Sequence, residues 1–124
     1  MKLLLDTHIF LWAIAEPGKL STTQRGAIED PTNTIYLSSV SVSELAIKAS
    51  LGKLSLDFDL LAIAEKSGVE LLDFSANDAL LLKDLPFHHR DPFDRMLIAQ
   101  ARYRDLSIAT QDPAFSLYDC RVLP

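Results

Sequence analysis

The chain has 124 residues, which is the length of one domain with a single hydrophobic core. Its composition, 48% hydrophobic and 23% charged, excludes a disordered or low-complexity chain. The formal net charge of −5 excludes a general electrostatic attraction to nucleic acid, so any nucleic-acid binding has to be local.

Short apolar runs alternate with helix-length patterns along the whole sequence. The runs predict strands at 2–5, 34–38, 69–73, 106–110 and near 120–123. The longer patterns predict helices at 8–15, 21–30, 42–52, 57–68, 75–84 and 92–104. Because helices separate the strands, we expect one α/β domain over residues 1–124, with a mainly parallel sheet and helices on both faces.

The N-terminal segment and the cysteine content bear on the compartment. Residues 1–17 combine a lysine, an apolar run and small residues, as a signal peptide does. Asp6 and His8 divide the apolar run into pieces too short for export or for a membrane span. The single cysteine, Cys120, cannot form an internal disulfide. We therefore expect a cytoplasmic protein with no membrane association.

Four acidic residues follow a predicted strand or begin a predicted helix: Asp6, Glu44, Asp94 and Asp112. Each could have a purely structural role. Asp6 can cap a helix, and Glu44 fits a capping box with Ser41. Asp94 suits the first turn of a helix, and Asp112 before a proline suits a turn.

Their joint placement favours a different interpretation. The carboxyl ends of parallel strands share one edge of a sheet, where ligands bind. Two unit charges ~4 Å apart at an effective dielectric of ~20 repel by about 4 kcal/mol, so clustered carboxylates need cations. Oxygen ligands of this kind suit Mg²⁺ or Mn²⁺, which can support phosphodiester hydrolysis.

Four segments carry a family resemblance in the same order along nearly the whole chain. They are "LLLDTHIFLWA", "LSSVSVSELAIKASLGKL", "HHRDPFDRMLIAQA" and "IATQDPAF", and their acids are Asp6, Glu44, Asp94 and Asp112. Together these segments resemble the motifs of PIN-domain nucleases of the VapC toxin type. The resemblance implies the sheet order 3-2-1-4-5 and a Mg²⁺- or Mn²⁺-dependent endoribonuclease whose four acids hold the metal. It also implies an RNA substrate, a homodimer and a cognate antitoxin that blocks the site.

Other residues beside the acids are candidates for supporting roles. Thr7, Ser43 and Thr110 adjoin the acids and are predicted to orient them or bound water. Arg90 and Arg95 flank Asp94 and are predicted to hold RNA phosphates, although Arg95 could equally pair with Asp91.

Three residues before Asp94 have two interpretations each. Asp91 suffices as an N-cap but could also touch metal through water. His88 and His89 could contact phosphate at the rim of the site or simply be solvated. A zinc site is disfavoured, because no cysteine lies near them in the sequence.

Two further questions stay open in the sequence. In the apolar helix 8–15, Phe10 or Trp12 could serve a dimer or antitoxin surface in addition to the core. Instead of a nuclease, the chain could be a regulatory or binding module on the same fold, with acids that cap helices. A receiver-like phosphoacceptor domain is disfavoured, because "IATQD" lacks the lysine that it would need.

Overall fold

Five parallel strands form one sheet in the computed structural model, which describes residues 1–124. The strands are β1 (Lys2–Leu5), β2 (Thr34–Ser38), β3 (Val69–Leu72), β4 (Ser107–Ala109) and β5 (Arg121–Leu123). Their order is β3-β2-β1-β4-β5, and every neighbouring pair is parallel. The α/β class and the sheet order implied by the family resemblance are therefore confirmed.

Six α-helices connect or cover these strands. They are α1 (Thr7–Ala15), α2 (Thr22–Glu29), α3 (Ser39–Ser50), α4 (Leu60–Lys66), α5 (Ala76–Leu80) and α6 (Pro92–Arg104). Short 3₁₀ segments lie at Pro17–Lys19, Leu81–Asp84 and Pro113–Leu117. No helix is long and apolar enough to cross a membrane, since the longest, α6, has 13 residues.

Strand β1 sits between two hydrophobic layers. Leu3 and Leu5 point into one layer, which includes Ile9 and Phe10 of α1, and Leu4 points into the other, which includes Leu97 and several neighbours of α6. This alternation follows from the two-residue period of a strand. The sheet is thus covered by a hydrophobic layer on both faces.

Three predicted elements differ from the structure. Helix α3 begins at Ser39, three residues before the predicted start, because Ser38 at the end of β2 caps it through the N–H of Val40. Helix α4 begins only at Leu60, where the side chain of Asp59 accepts the N–H of Ala62. The predicted helix 75–84 is α5 followed by a 3₁₀ segment.

Helix α1 has the bounds that the sequence predicts to within one residue, but one of its aromatic residues is not available to a partner. Phe10 is fully buried in the core, so the idea that it forms a dimer or antitoxin surface is wrong. Trp12 is half-buried beside His8, and the ammonium group of Lys19 lies 5.9 Å from the centre of its ring.

Candidate metal centre

The four predicted acids occupy different elements around the carboxyl edge of the sheet. Asp6 follows β1 and caps α1, and its side chain accepts the N–H of Ile9 at 2.8 Å. Its own N–H donates to the carbonyl of Ala109, which ties the ends of β1 and β4 together. Asp112 lies three residues beyond β4, while Glu44 comes from α3 and Asp94 from the first turn of α6. The central strands and two helices therefore bring one acid each.

His89 links two of these acids. Its Nε2 lies 2.9 Å from Oδ2 of Asp94 and 2.9 Å from Oδ2 of Asp112. Nδ1 of the same ring accepts the N–H of Asp91 at 3.2 Å, so Nε2 carries the proton that the carboxylates share. One N–H faces two carboxylate oxygens, and this arrangement leaves the acids short of positive charge.

The pKa values of the acids report that shortage. Burial and, after it, the nearby carboxylates of Asp91, Asp6 and Glu44 together raise the pKa of Asp94 to about 7, although His89 acts to lower it. Burial also raises the pKa of Asp6, helped by Asp112 and opposed mainly by the hydrogen bond from Thr110. The charged forms of these carboxyls are thus destabilised in the protein alone, which is the condition under which a bound cation gains most.

Glu44 is held differently from the other acids. Its Oε1 accepts the hydroxyl of Thr7 at 2.8 Å, and its Oε2 lies 2.7 Å from the ammonium group of Lys48, one turn along α3. The oxygen of Thr7 also lies 2.9 Å from the buried hydroxyl of Ser41. The predicted capping box between Ser41 and Glu44 is absent, because α3 starts earlier and Glu44 lies well inside it. Glu44 therefore has no capping role that would account for its burial.

Two of the three hydroxyl residues predicted beside the acids are there. Thr7 bonds to Glu44, and Thr110 bonds to Asp6 and also accepts the N–H of Asp112 at 3.1 Å. Ser43 is exposed, and its hydroxyl donates to the carbonyl of Ser39 on its own helix. The prediction for Ser43 is therefore wrong, because one residue of helical rotation turns its side chain away from the acids.

The two predicted phosphate-binding arginines differ from each other. Arg95 is buried and donates from Nη1 to the carbonyl of Pro86 and toward the hydroxyl of Tyr118, and from Nη2 to the carbonyl of Leu85. Its guanidinium is committed to holding the loop before α6, so neither the predicted phosphate contact nor the alternative pair with Asp91 is present. Arg90 is exposed and makes no hydrogen bond or ion pair, which leaves it free for a ligand.

The remaining candidates at the start of α6 have clear positions. Asp91 caps α6 by accepting the N–H groups of Phe93 and Asp94 at 2.8 and 3.3 Å. The ring of His88 packs edge-on against Tyr118, whose hydroxyl accepts the N–H groups of both His88 and His89. Asp91 thus has its predicted structural role, and His89 rather than His88 faces the acids.

Three residues at the site were missed or given another role by the sequence interpretation. Lys48 could have been found, because it lies four residues after Glu44 on the same helix face. Ser41 was taken for a cap, and only the true start of α3 shows that it faces Thr7. The contact of His89 with Asp112 joins residues 23 positions apart, and no local pattern signals it.

The donor set fits a hard divalent cation. The side-chain N and O atoms of His89, Asp94 and Asp112 that could bind a metal lie within 4.8 Å of one another. Asp6 interacts electrostatically with both aspartates, since it raises the pKa of Asp94 and Asp112 raises the pKa of Asp6. Carboxylate oxygens are the ligands that Mg²⁺ and Mn²⁺ prefer, and the Nε2–H of His89 is the hydrogen-bond donor that Asp94 and Asp112 share. A metal centre here would use Asp94 and Asp112 first, with Asp6 and Glu44 beside them.

Comparisons with known proteins identify the family and the fold. The family model described as "PIN domain" matches residues 3–119. A search of curated protein sequences gave no significant match.

Among solved structures, the chain is similar to three bacterial complexes at full length. For VapBC2 from Rickettsia felis bound to a DNA fragment from its promoter, the TM-score is 0.76 at 19% identity, covering 99% of this chain and 98% of that one. For DNA-bound VapBC from Salmonella typhimurium the values are 0.71 and 23%, covering 99% and 97%. For VapBC-1 from nontypeable Haemophilus influenzae they are 0.69 and 18%, again covering 99% and 97%. At these identities the similarity establishes the fold.

Proposed function

The chain belongs to the PIN-domain family, and from that premise we propose that it is a divalent-metal-dependent endoribonuclease, the toxin of a toxin–antitoxin pair. The observation that carries the proposal is the meeting of Asp94 and Asp112 at one nitrogen of His89, with Asp6 and Glu44 near enough to raise the pKa of Asp94. A regulatory module with capping acids would not need this meeting, since caps act separately at their own helices.

The four acids would share the work of holding Mg²⁺ or Mn²⁺. When bound, the ion would polarise the scissile phosphate and help to ionise the attacking water. Without a cation, burial and mutual repulsion destabilise the ionised forms of Asp94 and Asp6, so a bound ion would stabilise them. Thr7 and Thr110 fix the orientations of Glu44 and Asp6 by hydrogen bonds, so that the carboxylates do not have to be ordered when the ion arrives.

Lys48 and His89 would moderate the negative charge of the site. The ammonium group of Lys48 neutralises part of Glu44, and the Nε2–H of His89 occupies the space between Asp94 and Asp112. A divalent cation would compete with Lys48 for the carboxylate of Glu44 and with His89 for the carboxylates of Asp94 and Asp112. RNA phosphates would then meet a site whose net charge is no longer strongly negative.

The proposed partners are an antitoxin and a second copy of the chain. Solved neighbours include a toxin–antitoxin complex from Klebsiella pneumoniae and a member of the VapBC toxin–antitoxin family from Mycobacterium tuberculosis. Ile47 on helix α3 and Leu51 at its C-cap are exposed four residues apart, which offers an apolar contact to such a partner. Co-expression with the adjacent reading frame should give a stable complex, and sedimentation of the free chain should give a dimer. Failure of the two chains to co-purify would contradict the toxin assignment.

The experiment that tests the activity compares Mn²⁺ binding with RNA cleavage. Mn²⁺ at 100 times its dissociation constant should raise the free energy of unfolding by roughly 2.7 kcal/mol. Glu44→Gln should reduce this stabilisation and abolish cleavage, whereas Glu29→Gln, an exposed residue on α2, should change neither. Unchanged cleavage by Glu44→Gln would refute the four-acid site, and the absence of any Mn²⁺ effect would favour the capping module.

A further inference from the structure

Phe87 is the most exposed large hydrophobic residue of the chain, with 85% of its surface accessible. The guanidinium carbon of Arg95 lies 4.1 Å from the centre of its ring, over one face. Since Arg95 is itself fixed by Leu85, Pro86 and Tyr118, the ring rests on a rigid support. The rest of the ring is open to solvent, so it is available to a ligand.

The surroundings of Phe87 are positively charged, in contrast to the rest of the molecule. A cavity of about 460 Å³ is lined by Phe87 together with Leu82, Lys83, Arg90, Pro92, Arg95 and Met96. Three of these residues are cationic and none is acidic, in a chain whose net charge is −5. Arg90 has no partner, and Lys83 has only an exposed contact of 3.4 Å with Asp84. The cavity therefore offers an anion two cations beside an open aromatic face.

We propose that this cavity, hereafter the Phe87 subsite, binds one unpaired nucleotide of the RNA substrate. The base stacks on the free face of Phe87, and the neighbouring phosphates contact Arg90 and Lys83. Aromatic rings combined with basic side chains are the general means of binding single-stranded nucleic acid, because every base has a face that can stack. The proposal rests on the proposed ribonuclease function and adds a place for the substrate beside the acids.

The position of the Phe87 subsite suits a nucleotide next to the cleaved bond. Phe87 precedes His89 by two residues, so their Cα atoms lie at most about 7 Å apart. His89 in turn contacts Asp94 and Asp112. On α6, Asp94 faces the other acids, and the next residue, Arg95, packs against the ring of Phe87. The first turn of α6 therefore contributes to both the acid cluster and the Phe87 subsite. The subsite would thereby favour RNA that is single-stranded at the cleavage point.

The test measures binding of a fluorescein-labelled, mixed-sequence single-stranded RNA by anisotropy. To prevent cleavage, the full chain carries Asp94→Asn and Mg²⁺ is present. Phe87→Ala should weaken binding about tenfold, whereas Tyr103→Ala, an exposed aromatic residue at the other end of α6, should leave it unchanged. Phe87→Trp should keep the affinity, and its added fluorescence should be quenched by RNA. Arg90→Ala should weaken binding and flatten its salt dependence.

An abasic RNA distinguishes stacking on Phe87 from binding through the phosphates alone. An RNA with a run of abasic sugars keeps its phosphates, so Phe87→Ala should not affect its binding. Equal losses for intact and abasic RNA, or equal affinities of Phe87→Ala and Tyr103→Ala for intact RNA, would overturn the proposed subsite. With Asp94 intact, Phe87→Ala should raise KM more than it lowers kcat. If the wild-type chain binds RNA but does not cut it, the ribonuclease function is refuted. The binding comparison of Phe87→Ala with intact and abasic RNA would still test the Phe87 subsite.

Discussion

Asp94 and Asp112 share a single hydrogen-bond donor, since one oxygen of each lies 2.9 Å from Nε2 of His89. The two carboxylates come from α6 and from the loop after β4, so their meeting depends on the tertiary fold and not on local sequence. A helix cap needs only its own N–H groups, and Asp91 already supplies that function to α6. Asp94 is therefore not needed as the cap of the helix that carries it.

Replacing Asp94 by asparagine should stabilise the metal-free protein near neutral pH. Because the pKa of Asp94 rises from 3.8 to about 7 on folding, its favourable contribution exists below 3.8 and is lost as the pH rises to about 7. Asp94→Asn removes that loss and keeps an oxygen for His89, so we expect a gain on the order of 2 kcal/mol at neutral pH. Urea denaturation in chelator should show no gain in acid. A destabilised variant at neutral pH would contradict the account.

Lys48→Gln should increase the affinity for Mn²⁺. The hydrogen bond to Glu44 raises the pKa of Lys48, with Asp91 and Asp94 contributing, so the ammonium group remains charged beside the acids. Removing this charge should tighten Mn²⁺ binding by roughly fivefold at low salt, and less at high salt. Calorimetric titration measures the effect, with the exposed Lys53→Gln as the control. Weaker binding by Lys48→Gln would show that Lys48 organises the site instead of opposing the cation.

Arg95→Lys should destabilise the protein, although the positive charge is conserved. A lysine cannot reach both backbone carbonyls and the Tyr118 hydroxyl, so buried acceptors would lose their donors. We expect a loss of about 2 kcal/mol, measured by urea denaturation, and faster amide hydrogen exchange at His88 and His89. Arg102→Lys on the same helix should cost little, because the side chain of Arg102 makes no hydrogen bond and its backbone carbonyl is unchanged by the substitution. Equal stability of the two variants would mean that Arg95 is free to bind a ligand.

The Asp78–Arg104 pair should give the opposite pH dependence to Asp94. Burial alone would raise the pKa of Asp78, but hydrogen bonds from Arg104 and Ser75 outweigh it and lower the pKa below 3.8. A lowered folded-state pKa stabilises above 3.8, and this stability is lost as the pH falls through the folded-state value. Asp78→Asn should therefore cost about 2 kcal/mol at neutral pH. The difference between wild type and variant should shrink in acid, and a constant difference would contradict this.

The strands and helices could be predicted because hydrophobic periodicity and helix caps are local patterns. The strand 34–38 and the helix 92–104 have strong start and stop signals, and the structure has the same bounds. The start of α3 was harder, since Ser38, Ser39, Ser41 and Ser43 are all acceptable caps. Because the predicted start of α3 was three residues too late, Ser41 was interpreted as a cap and Ser43 was placed beside the acids.

Arg95 and His89 were harder to predict for a different reason. Their partners, Tyr118 and Asp112, are more than 20 positions away in sequence and meet them only after the chain has folded. A positive charge next to an acid suggests phosphate binding whether or not the side chain is buried. Helical spacing gives the face on which such a side chain lies, but its hydrogen-bond partners depend on the packing of distant segments.

Asp94 is proposed to be a ligand of a catalytic metal ion, whereas Asp91 caps the helix. The most direct measurement compares cleavage of single-stranded RNA in Mn²⁺ by Asp94→Asn and Asp105→Asn. Both variants remove one acid from the ends of α6, and Asp105 adopts a left-handed conformation that asparagine accepts readily. We predict that Asp94→Asn folds normally but loses cleavage by at least about a hundredfold, as expected when a transition-state contact is removed, while Asp105→Asn cuts like the wild type. Comparable cleavage by the two variants would contradict the account.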